Sequence, residues 1–235
     1  MPSLSIFFPC YNDAKSIGKL VKEADRLAKK LTRDYEIIVI DDGSKDDSRL
    51  ILKGLKNKFR RLRLIFHEKN LGYGGVLQTG FKSSKKELVF YTDGDGQYDV
   101  KELKMLWWLM SDDVDVINGI KMDRQDYQYR VMLGNLYAFL TRWLFLLRTY
   151  DVDCDFRLIR RELVRKMKLN STSGAVCVEL IKRLELAGAT FRQVEVHHYP
   201  RLFGSSQFFR PMRLLKTASE LVNLWLEMVW RNKSI

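Results

Sequence analysis

The sequence predicts an α/β fold in which a mostly parallel central sheet is flanked by helices. Strand-like and helix-like apolar patterns alternate over the first hundred residues with short connections, as is typical of such sheets. The chain has 235 residues, of which 46% are hydrophobic, and this is enough for one domain with its own core. Polar residues directly follow several of the predicted strands, at the sheet edge where such folds bind ligands.

The predicted elements follow one another in the order βαβαβαβ. The first strand, 4–8, ends before Pro9, and the second, 35–40, is apolar throughout, as expected when both faces are covered. The helix between them has an apolar face at helical spacing, made of Ile17, Leu20, Val21, Ala24, Leu27, Ala28 and Leu31. A basic helix, a strand, a glycine-rich turn with a helix, and a further strand are predicted at 47–58, 62–66, 76–83 and 88–92.

The charge, the cysteines and the apolar runs of the sequence indicate which kinds of partner and which cellular setting to expect. Forty-one Lys and Arg against 29 Asp and Glu give a net charge of +12, which favours anionic partners. The chain has no zinc-finger or helix-turn-helix pattern, so we expect no nucleic-acid partner. Three widely spaced cysteines indicate neither a disulfide framework nor a zinc site, and favour a reducing, cytoplasmic setting. The most apolar run, 143–147, is far shorter than the roughly 20 residues of a membrane span.

Common nucleotide-binding loops are absent from the sequence. The first predicted strand is followed by 9–13 (PCYND) rather than by the G-x-G-x-x-G pattern of dinucleotide-binding folds. A P-loop pattern is also absent. These two classes of site are therefore excluded.

An acidic turn, 93–98 (DGDGQY), is the most informative segment. Asp93 and Asp95 come directly after a buried strand, and carboxylates of this kind suit Mg²⁺ or Mn²⁺ together with substrate phosphates. Gly94 and Gly96 keep the turn free of bulk. A D-x-D pattern on its own is also common in solvated turns, so its meaning depends on the rest of the chain.

Four blocks occur in order at predicted strand ends: 9–13 (PCYND), 38–48 (IVIDDGSKDDS), 70–74 (NLGYG) and 93–95 (DGD). Their order and spacing resemble family 2 glycosyltransferases of GT-A fold. The closest likeness is to the branch with dolichol-phosphate mannosyltransferase and bacterial polyprenyl-phosphate glycosyltransferases. The second half is similar to that branch at 155–160, 179–183 and 194–207, so the resemblance covers about residues 4–210.

The resemblance, with placement at strand ends, implies specific site residues. The nucleotide-sugar donor is expected to contact Pro9, Tyr11, Asp13, Ile40, Asp42, Lys69, Gly72, Asp93, Gly94, Asp95 and Lys121. The implied Mg²⁺ or Mn²⁺ positions are Asp93, Asp95 and Gln97, and the implied acceptor positions are Arg201, Ser206 and Gln207. Asp95 and Arg201 are the implied catalytic residues. Three positions depart from the family pattern: Asp13 stands where Glu is usual, Lys121 where many relatives have Arg, and Gln207 where they have Lys.

The expected activity is metal-dependent transfer of a sugar, with inversion, from a nucleotide-diphosphate sugar to a polyprenyl phosphate. One alternative is a GT-A enzyme with a glycan hydroxyl as acceptor, which needs a base from Asp153, Asp155 or Glu179. A second alternative is a non-catalytic nucleotide-binding scaffold on the same fold. The basic patch within 53–63 is interpreted as a solvated helix and loop, with attraction to acidic lipids as the second interpretation and nucleic-acid binding as the third.

The expected organisation is a single GT-A domain, 1–210, followed by an amphipathic helix, 211–235. The nucleotide-binding half is expected at about 1–120 and the acceptor half at about 121–210. The last helix has an apolar stripe of Leu214, Leu215, Ala218, Leu221, Val222, Trp225, Met228 and Val229, and an opposite stripe of Lys216, Glu220, Asn223, Glu227 and Arg231. With the apolar segment 133–147, it fits core packing, a homo-oligomer face, a membrane-protein partner or peripheral contact with the cytoplasmic membrane face.

Overall fold

The computed structural model describes residues 1–122, 128–201, 203 and 211–230, and side chains within 128–130 lie outside this description. The strands are β1 Leu4–Cys10, β2 Tyr35–Asp41, β3 Leu62–Phe66, β4 Leu88–Thr92, β5 Val116–Met122, β6 Phe156–Arg160 and β7 Phe191–His197. The helices are α1 Ala14–Leu31, α2 Ser48–Lys56, α3 Gly72–Ser83, α4 Leu103–Leu109, α5 Gln128–Phe145, α6 Arg161–Arg165, α7 Ala175–Leu186 and α8 Pro211–Trp225. A short 3₁₀-helix, Val100–Glu102, precedes α4, and a π-helical turn, Leu226–Trp230, continues α8.

These strands form one sheet in the order β3-β2-β1-β4-β6-β5-β7. All neighbouring strands are parallel except β6, which is antiparallel to β4 and to β5. The predicted mostly parallel sheet with flanking helices is therefore confirmed. The carboxyl ends of β1, β2, β3 and β4 lie at one edge of the sheet, and this brings the turns that follow them together.

Strand β1 continues through Pro9, two residues further than the sequence predicts. It pairs with β2 along its whole length, but with β4 only from Leu4 to Phe7. Proline has no N–H to give to a ladder, and Pro9 lies beyond the end of the β4 pairing. The proline is therefore tolerated in a central strand, and it extends β1 into the predicted donor site.

Two apolar clusters cover the two faces of the sheet. Alternate residues of β1 enter each of them, because successive side chains of a strand point to opposite faces: Leu4, Ile6 and Phe8 on one side and Phe7 on the other. The first cluster includes the predicted apolar face of α1, which is buried as expected, with α2 and α4. The second includes α3, α6 and α7.

A third cluster holds α5, α7 and α8 together. Its buried members include Phe145 from α5, Val178 and Ile181 from α7, and Leu224 from α8. The indole Nε1 of Trp225 also donates a hydrogen bond to the backbone carbonyl of Leu144 at 3.0 Å. The amphipathic helices of the sequence therefore pack on one another and on α7.

The outer faces of α5 and α8 remain exposed. We call this set of exposed apolar side chains the α5–α8 surface: Met132, Leu136, Phe139, Leu140, Trp143, Leu215, Val222 and Leu226. Core packing, one of the expectations for these helices, is therefore wrong for this set. Among the residues described here, no helix combines the length and the hydrophobicity needed to cross a membrane.

The stripes predicted for α8 are displaced in the structure. Leu224 is buried although the predicted apolar stripe omits it, while Leu215 and Val222 of that stripe are exposed. Glu220 belongs to the predicted stripe opposite the apolar one, and its carboxylate contacts Thr172 and Ser173. The cause is the position of α7, which covers the side of α8 that carries Thr217, Glu220 and Leu224.

Candidate functional site

The turn after β1 points an acidic side chain into the site. Asp13 is the N-terminal neighbour of α1, but its carboxylate does not cap that helix. Its Oδ2 instead accepts a hydrogen bond from the backbone N–H of Tyr11 at 3.0 Å. The backbone of Asp13 is fixed by the Ser48 hydroxyl, which accepts from its N–H at 3.0 Å. The turn therefore holds Asp13 in a single orientation, with Oδ1 directed at Arg201.

Arg201 connects this turn with the acidic turn after β4. Its Nη2 lies 3.4 Å from Oδ1 of Asp13 and 3.4 Å from Oδ2 of Asp95. The Nε of the same guanidinium is buried and has no hydrogen-bond partner. Because a buried donor without an acceptor is costly, an anion beside Arg201 would relieve this arrangement. The structure brings together three residues that the sequence predicts for the site, across 188 positions of chain.

The acidic turn itself is tightly organised. Oδ1 of Asp95 accepts from the backbone N–H of Gln97 at 3.0 Å. The amide Nε2 of Gln97 donates to the carbonyl of Tyr199 at 3.1 Å, and Tyr199 N–H donates to the carbonyl of Gln97 at 2.8 Å. Gln97 therefore fixes the segment that carries Arg201 next to Asp95. Gly94 packs against β1, where a Cβ would lie 2.2 Å from the carbonyl oxygen of Pro9.

The carboxyl groups of Asp13, Asp93 and Asp95 lie close enough to one another for their negative charges to repel. Burial and the nearby Asp95 together raise the pKa of Asp13 to about 6, although the Tyr11 N–H and Arg201 lower it. Burial, with the charges of Asp155 and Asp95, raises the pKa of Asp93 well above its usual range. Clustered carboxyls of this kind are typical of sites that bind a cation.

These donors fit a divalent ion. Mg²⁺ and Mn²⁺ prefer oxygen ligands and are usually held by one or two carboxylates together with substrate phosphates. Asp93 and Asp95 would supply the carboxylates, and Arg201, whose Nη2 lies 3.4 Å from Asp95, would supply positive charge for the phosphates. Within the described residues, no group of three or more His, Cys, Asp or Glu is arranged to hold a metal without such help.

Asp42 lies at the end of β2, and its carboxylate is largely occupied by the protein. Oδ1 accepts from the backbone N–H of Leu71 at 2.8 Å and from His67 Nδ1 at 2.7 Å, and Oδ2 accepts from Gly72 N–H at 3.0 Å. Asp42 therefore holds the turn after β3. A carboxylate has about four acceptor positions, so one remains for the predicted nucleotide contact.

The other predicted donor-site residues are placed as follows. Ile40 is buried in β2 opposite Pro9, Tyr11 is half-buried, and Lys69 is exposed. Lys121 lies further along the sheet, where its ammonium donates to the Asp153 carbonyl at 2.9 Å and lies 3.3 Å from the Asp151 carboxylate. The predicted acceptor residues Ser206 and Gln207 lie outside the described residues.

The glycine turn after β3 is fixed by contacts that the sequence did not predict. Gly72 has a φ of 81°, and a Cβ on it would lie 2.4 Å from the carbonyl oxygen of Thr172. The hydroxyl of Tyr73 donates to Oδ1 of Asp93 at 2.8 Å. Helix α3 begins at Gly72, four residues before its predicted start, because these glycines allow the backbone to approach Thr172 closely.

Behind Asp93 lies a buried network around Arg157, which is 0% exposed. Its guanidinium donates to Asn118 Oδ1 at 2.5 Å, to Asp155 Oδ1 at 2.9 Å and to the hydroxyl of Tyr91. A buried guanidinium needs such partners because its charge has lost its water. The D-F-R segment of 155–157 was visible in the sequence, but nothing in it signalled complete burial.

The three candidate general bases, Asp153, Asp155 and Glu179, differ in how far their carboxylates are engaged by other groups of the protein. Both oxygens of Glu179 accept backbone N–H bonds from the turn at 170–171, and Arg183 Nε donates to Oε1 at 2.8 Å. Asp155 is paired with Arg157 at 2.9 Å. Asp153 is half-buried, and burial raises its pKa to about 6 although Lys121 lowers it. Asp153 is therefore the least constrained of the three.

Comparison with known proteins identifies the family of the chain. A family model described as Glycosyl transferase family 2 matches residues 5–168. The undecaprenyl-phosphate 4-deoxy-4-formamido-L-arabinose transferase of Yersinia pestis (strain Pestoides F) is 27% identical over 220 residues. The corresponding protein of Yersinia enterocolitica is 25% identical over 227 residues. The matches cover 93% and 96% of this chain, which spans 66% of the length of either relative.

Solved structures share the fold at lower identity. A glucosyl-3-phosphoglycerate synthase from Mycobacterium tuberculosis, crystallised with Mn²⁺, UDP and glucosyl-3-phosphoglycerate, superposes with a TM-score of 0.68 at 17% identity. The match covers 97% of this chain and 80% of that one. A mannosyl-3-phosphoglycerate synthase from Rubrobacter xylanophilus gives a TM-score of 0.73 at 16% identity, over 98% and 75% of the two chains.

Proposed function

The chain belongs to glycosyl transferase family 2, and we propose that it transfers a sugar from a nucleoside-diphosphate sugar to a polyprenyl phosphate with inversion at the anomeric carbon. The observation that carries this proposal is the contact of Arg201 with both Asp13 and Asp95, 3.4 Å each. A cation beside clustered carboxylates at the ends of β1 and β4 suits a metal-bound diphosphate. The curated relatives are named as transferases that use undecaprenyl phosphate.

On the donor side, the bond between the anomeric carbon and the diphosphate oxygen breaks, and negative charge develops on the leaving diphosphate. Arg201 would stabilise that charge through its guanidinium, which the hydrogen bond between Gln97 and Tyr199 helps to hold beside Asp95. Mg²⁺ or Mn²⁺ held by Asp93 and Asp95 would supply Lewis-acid neutralisation of the same charge. Mn²⁺ accompanies UDP in the M. tuberculosis synthase structure of the same fold.

The proposal of a phosphate acceptor rests on the fact that two of the three candidate general bases, Glu179 and Asp155, already have their carboxylates engaged. A sugar hydroxyl needs a base to take its proton, whereas a lipid phosphate is already ionised near neutral pH. Glu179 and Asp155 have their oxygens committed to backbone N–H groups and to arginines. This commitment supports a phosphate acceptor, which attacks without a protein base.

A second candidate is transfer to a glycan hydroxyl, and one observation favours it. Asp153 is not committed in the same way, and burial raises its pKa to about 6, which is suitable for a general base. The two candidates therefore differ in whether Asp153 is required for turnover.

The enzyme is also proposed to work on the cytoplasmic face of a membrane as a peripheral protein. The α5–α8 surface presents Phe139, Trp143 and Leu140 to the outside, and Arg142 and Arg148 lie near them in the sequence. Exposed aromatic and aliphatic side chains next to arginines suit the interface of an anionic bilayer, where a polyprenyl phosphate resides.

The test is transfer of radiolabelled sugar from UDP- and GDP-sugars to a short polyprenyl phosphate with Mn²⁺. Asp95→Asn and Arg201→Ala should each lower kcat by 10²-fold or more, since each removes stabilisation of developing charge. Asp153→Asn should retain activity within about threefold, and Asp112→Asn, an exposed carboxylate elsewhere, is the control.

Three results would contradict the proposal in different ways. Absence of transfer from every nucleotide sugar by the unaltered protein would favour a scaffold role. An inactive Asp153→Asn together with an active Arg201→Ala would favour a hydroxyl acceptor. Unchanged activity of Asp95→Asn at saturating Mn²⁺ would exclude the proposed metal role.

A further inference from the structure

Glu220 of α8 reaches across to the segment that precedes α7. Its carboxylate accepts hydrogen bonds from the hydroxyls of Thr172 and Ser173 at 3.0 and 2.6 Å. It also accepts from the backbone N–H of Ser173 at 3.0 Å and of Thr172 at 3.2 Å. Burial raises the pKa of Glu220, but the bonds from Ser173 and Thr172 outweigh burial and leave it below its ordinary value. The bonds are therefore charge-assisted at neutral pH, and such bonds are stronger than neutral ones.

The segment held by Glu220 is in contact with the glycine turn of the donor site. The carbonyl of Thr172 accepts from Gly74 N–H at 3.2 Å. A Cβ on Gly74 would lie 1.9 Å from the carbonyl oxygen of Ser171, so the two backbones touch directly. Any displacement of 171–173 must therefore displace the glycine turn or break its contacts.

The glycine turn in turn bonds to two predicted donor-site residues. Gly72 N–H donates to the carboxylate of Asp42 at 3.0 Å, and the Tyr73 hydroxyl donates to that of Asp93 at 2.8 Å. A continuous series of hydrogen bonds thus runs from α8 through Thr172 and Gly74 to both carboxylates. The hydrogen bonds in this series are 2.6–3.2 Å long, and only one or two residues of backbone separate one bond from the next.

We propose that Glu220 is a positioning residue, through which α8 holds the glycine turn 71–74 in the form that binds the nucleoside-diphosphate donor. This rests on the donor site proposed above. Glu220 bonds to Thr172 and Ser173 and acts on the donor only through the glycine turn. Its loss should therefore weaken donor binding without lowering the rate of transfer once the donor is bound. The mechanism is local: when the turn loosens, the Asp42 and Asp93 carboxylates lose the hydrogen-bond donors that orient them.

The variants that test this are Glu220→Ala and the milder Glu220→Gln, which keeps size but not charge. Glu227→Gln is the matched control. Glu227 lies in the π-helical turn that continues α8, and it pairs with Arg183 at 3.1 Å rather than with Thr172 or Ser173. Donor KM should rise about tenfold in Glu220→Ala and about threefold in Glu220→Gln, with kcat changed by less than about twofold. Glu227→Gln should leave KM unchanged.

Hydrogen exchange supplies a readout that needs neither donor nor activity. The N–H groups of Gly72 and Gly74 should exchange at least about tenfold faster in Glu220→Ala than in Glu227→Gln, because Thr172, the acceptor of Gly74, is no longer held and the turn that carries both residues loosens. Equal exchange in the two variants, or equal donor KM, would overturn the inference. If the unaltered protein bound no nucleoside diphosphate with Mn²⁺, the proposed function would fail, whereas the exchange comparison would still decide the role of Glu220.

Discussion

The hydroxyl of Tyr73 donates a 2.8 Å hydrogen bond to Oδ1 of Asp93. The two residues belong to different turns, one after β3 and one after β4. Burial and the charge of Asp155 raise the pKa of Asp93 well above its usual range, and the bond from Tyr73 opposes this by stabilising the ionised form. Tyr73 therefore helps to keep Asp93 in the form that can bind a cation.

Tyr73→Phe should weaken Mn²⁺-dependent nucleoside-diphosphate binding by about three- to tenfold. The ring remains, so packing is retained, but Asp93 Oδ1 loses a donor in a desolvated position. Calorimetric titration with UDP and GDP in Mn²⁺ measures the change. Tyr150→Phe, at an exposed tyrosine elsewhere, should have no effect. Equal affinity of Tyr73→Phe and the unaltered protein would show that Asp93 takes no part in binding.

Asp42→Ala should weaken nucleoside-diphosphate binding by about 1–3 kcal/mol, the range for a lost charge-assisted hydrogen bond. It should also lower the free energy of unfolding, because Leu71 N–H, Gly72 N–H and His67 lose their acceptor. Calorimetry and urea unfolding measure the two effects separately. Asp34→Ala, at an exposed carboxylate paired with Lys86, is the control. Unchanged nucleotide affinity in a destabilised Asp42→Ala would restrict Asp42 to holding the turn.

Asp153 gives the folded protein a defined pH dependence. Burial raises its pKa to about 6 in the folded state, above the ordinary value near 4, so the folded state binds this proton more tightly than the unfolded state. Its contribution to stability is therefore complete below about pH 4 and is lost as the pH rises to about 6. Asp153→Asn removes this loss.

Above pH 6, Asp153→Asn should consequently be more stable than the unaltered protein by about 1–3 kcal/mol, and the advantage should vanish near pH 4. Urea unfolding at pH 4, 6 and 8 measures it. Asp13 also has a pKa near 6, but it titrates in both proteins, so its effect cancels when the free energy of unfolding of one protein is subtracted from that of the other. A constant difference across the pH range would contradict the raised pKa.

The α5–α8 surface should bind anionic vesicles. Trp143→Glu should lower sedimentation with phosphatidylglycerol vesicles about tenfold, because it places a charge in the apolar face. Trp108→Glu is the matched control, since Trp108 on α4 is also 68% exposed but lies outside this surface. Binding should fall with salt, as exposed charges are screened over about 8 Å at physiological ionic strength. Equal binding of both variants would assign the surface to another partner.

The fold was largely predictable because its signals are local. The strands at 62–66 and 88–92 were predicted with the bounds that they have in the structure, and the apolar face of α1 is buried as its spacing indicated. The start of α3 was not predictable in this way. Gly72 and Gly74 in its first turn lie against the backbone of Ser171 and Thr172, about a hundred residues later, and this contact leaves no room for a Cβ at either glycine.

Site residues were predictable where they follow a strand. Asp13, Asp42, Asp93 and Asp95 all lie in the turns that follow predicted strands, and parallel strands bring their carboxyl ends to one edge. Tyr73, Arg157 and Glu220 were missed, because their partners are set by packing. The contacts of Glu220 were not predicted, because helical periodicity gives the faces of a helix but not which neighbour covers each face.

The sequence by itself determined the order of strands and helices, the acidic turns at the strand ends and the resemblance to family 2 glycosyltransferases. These follow from hydrophobic periodicity and short motifs, which are properties of consecutive residues. Tertiary structure alone decided that Arg201 lies between Asp13 and Asp95, and that α8 directs Glu220 onto Thr172 and Ser173. The physical reason is that such contacts join residues distant in sequence, 188 positions apart for Asp13 and Arg201, so no local pattern encodes them.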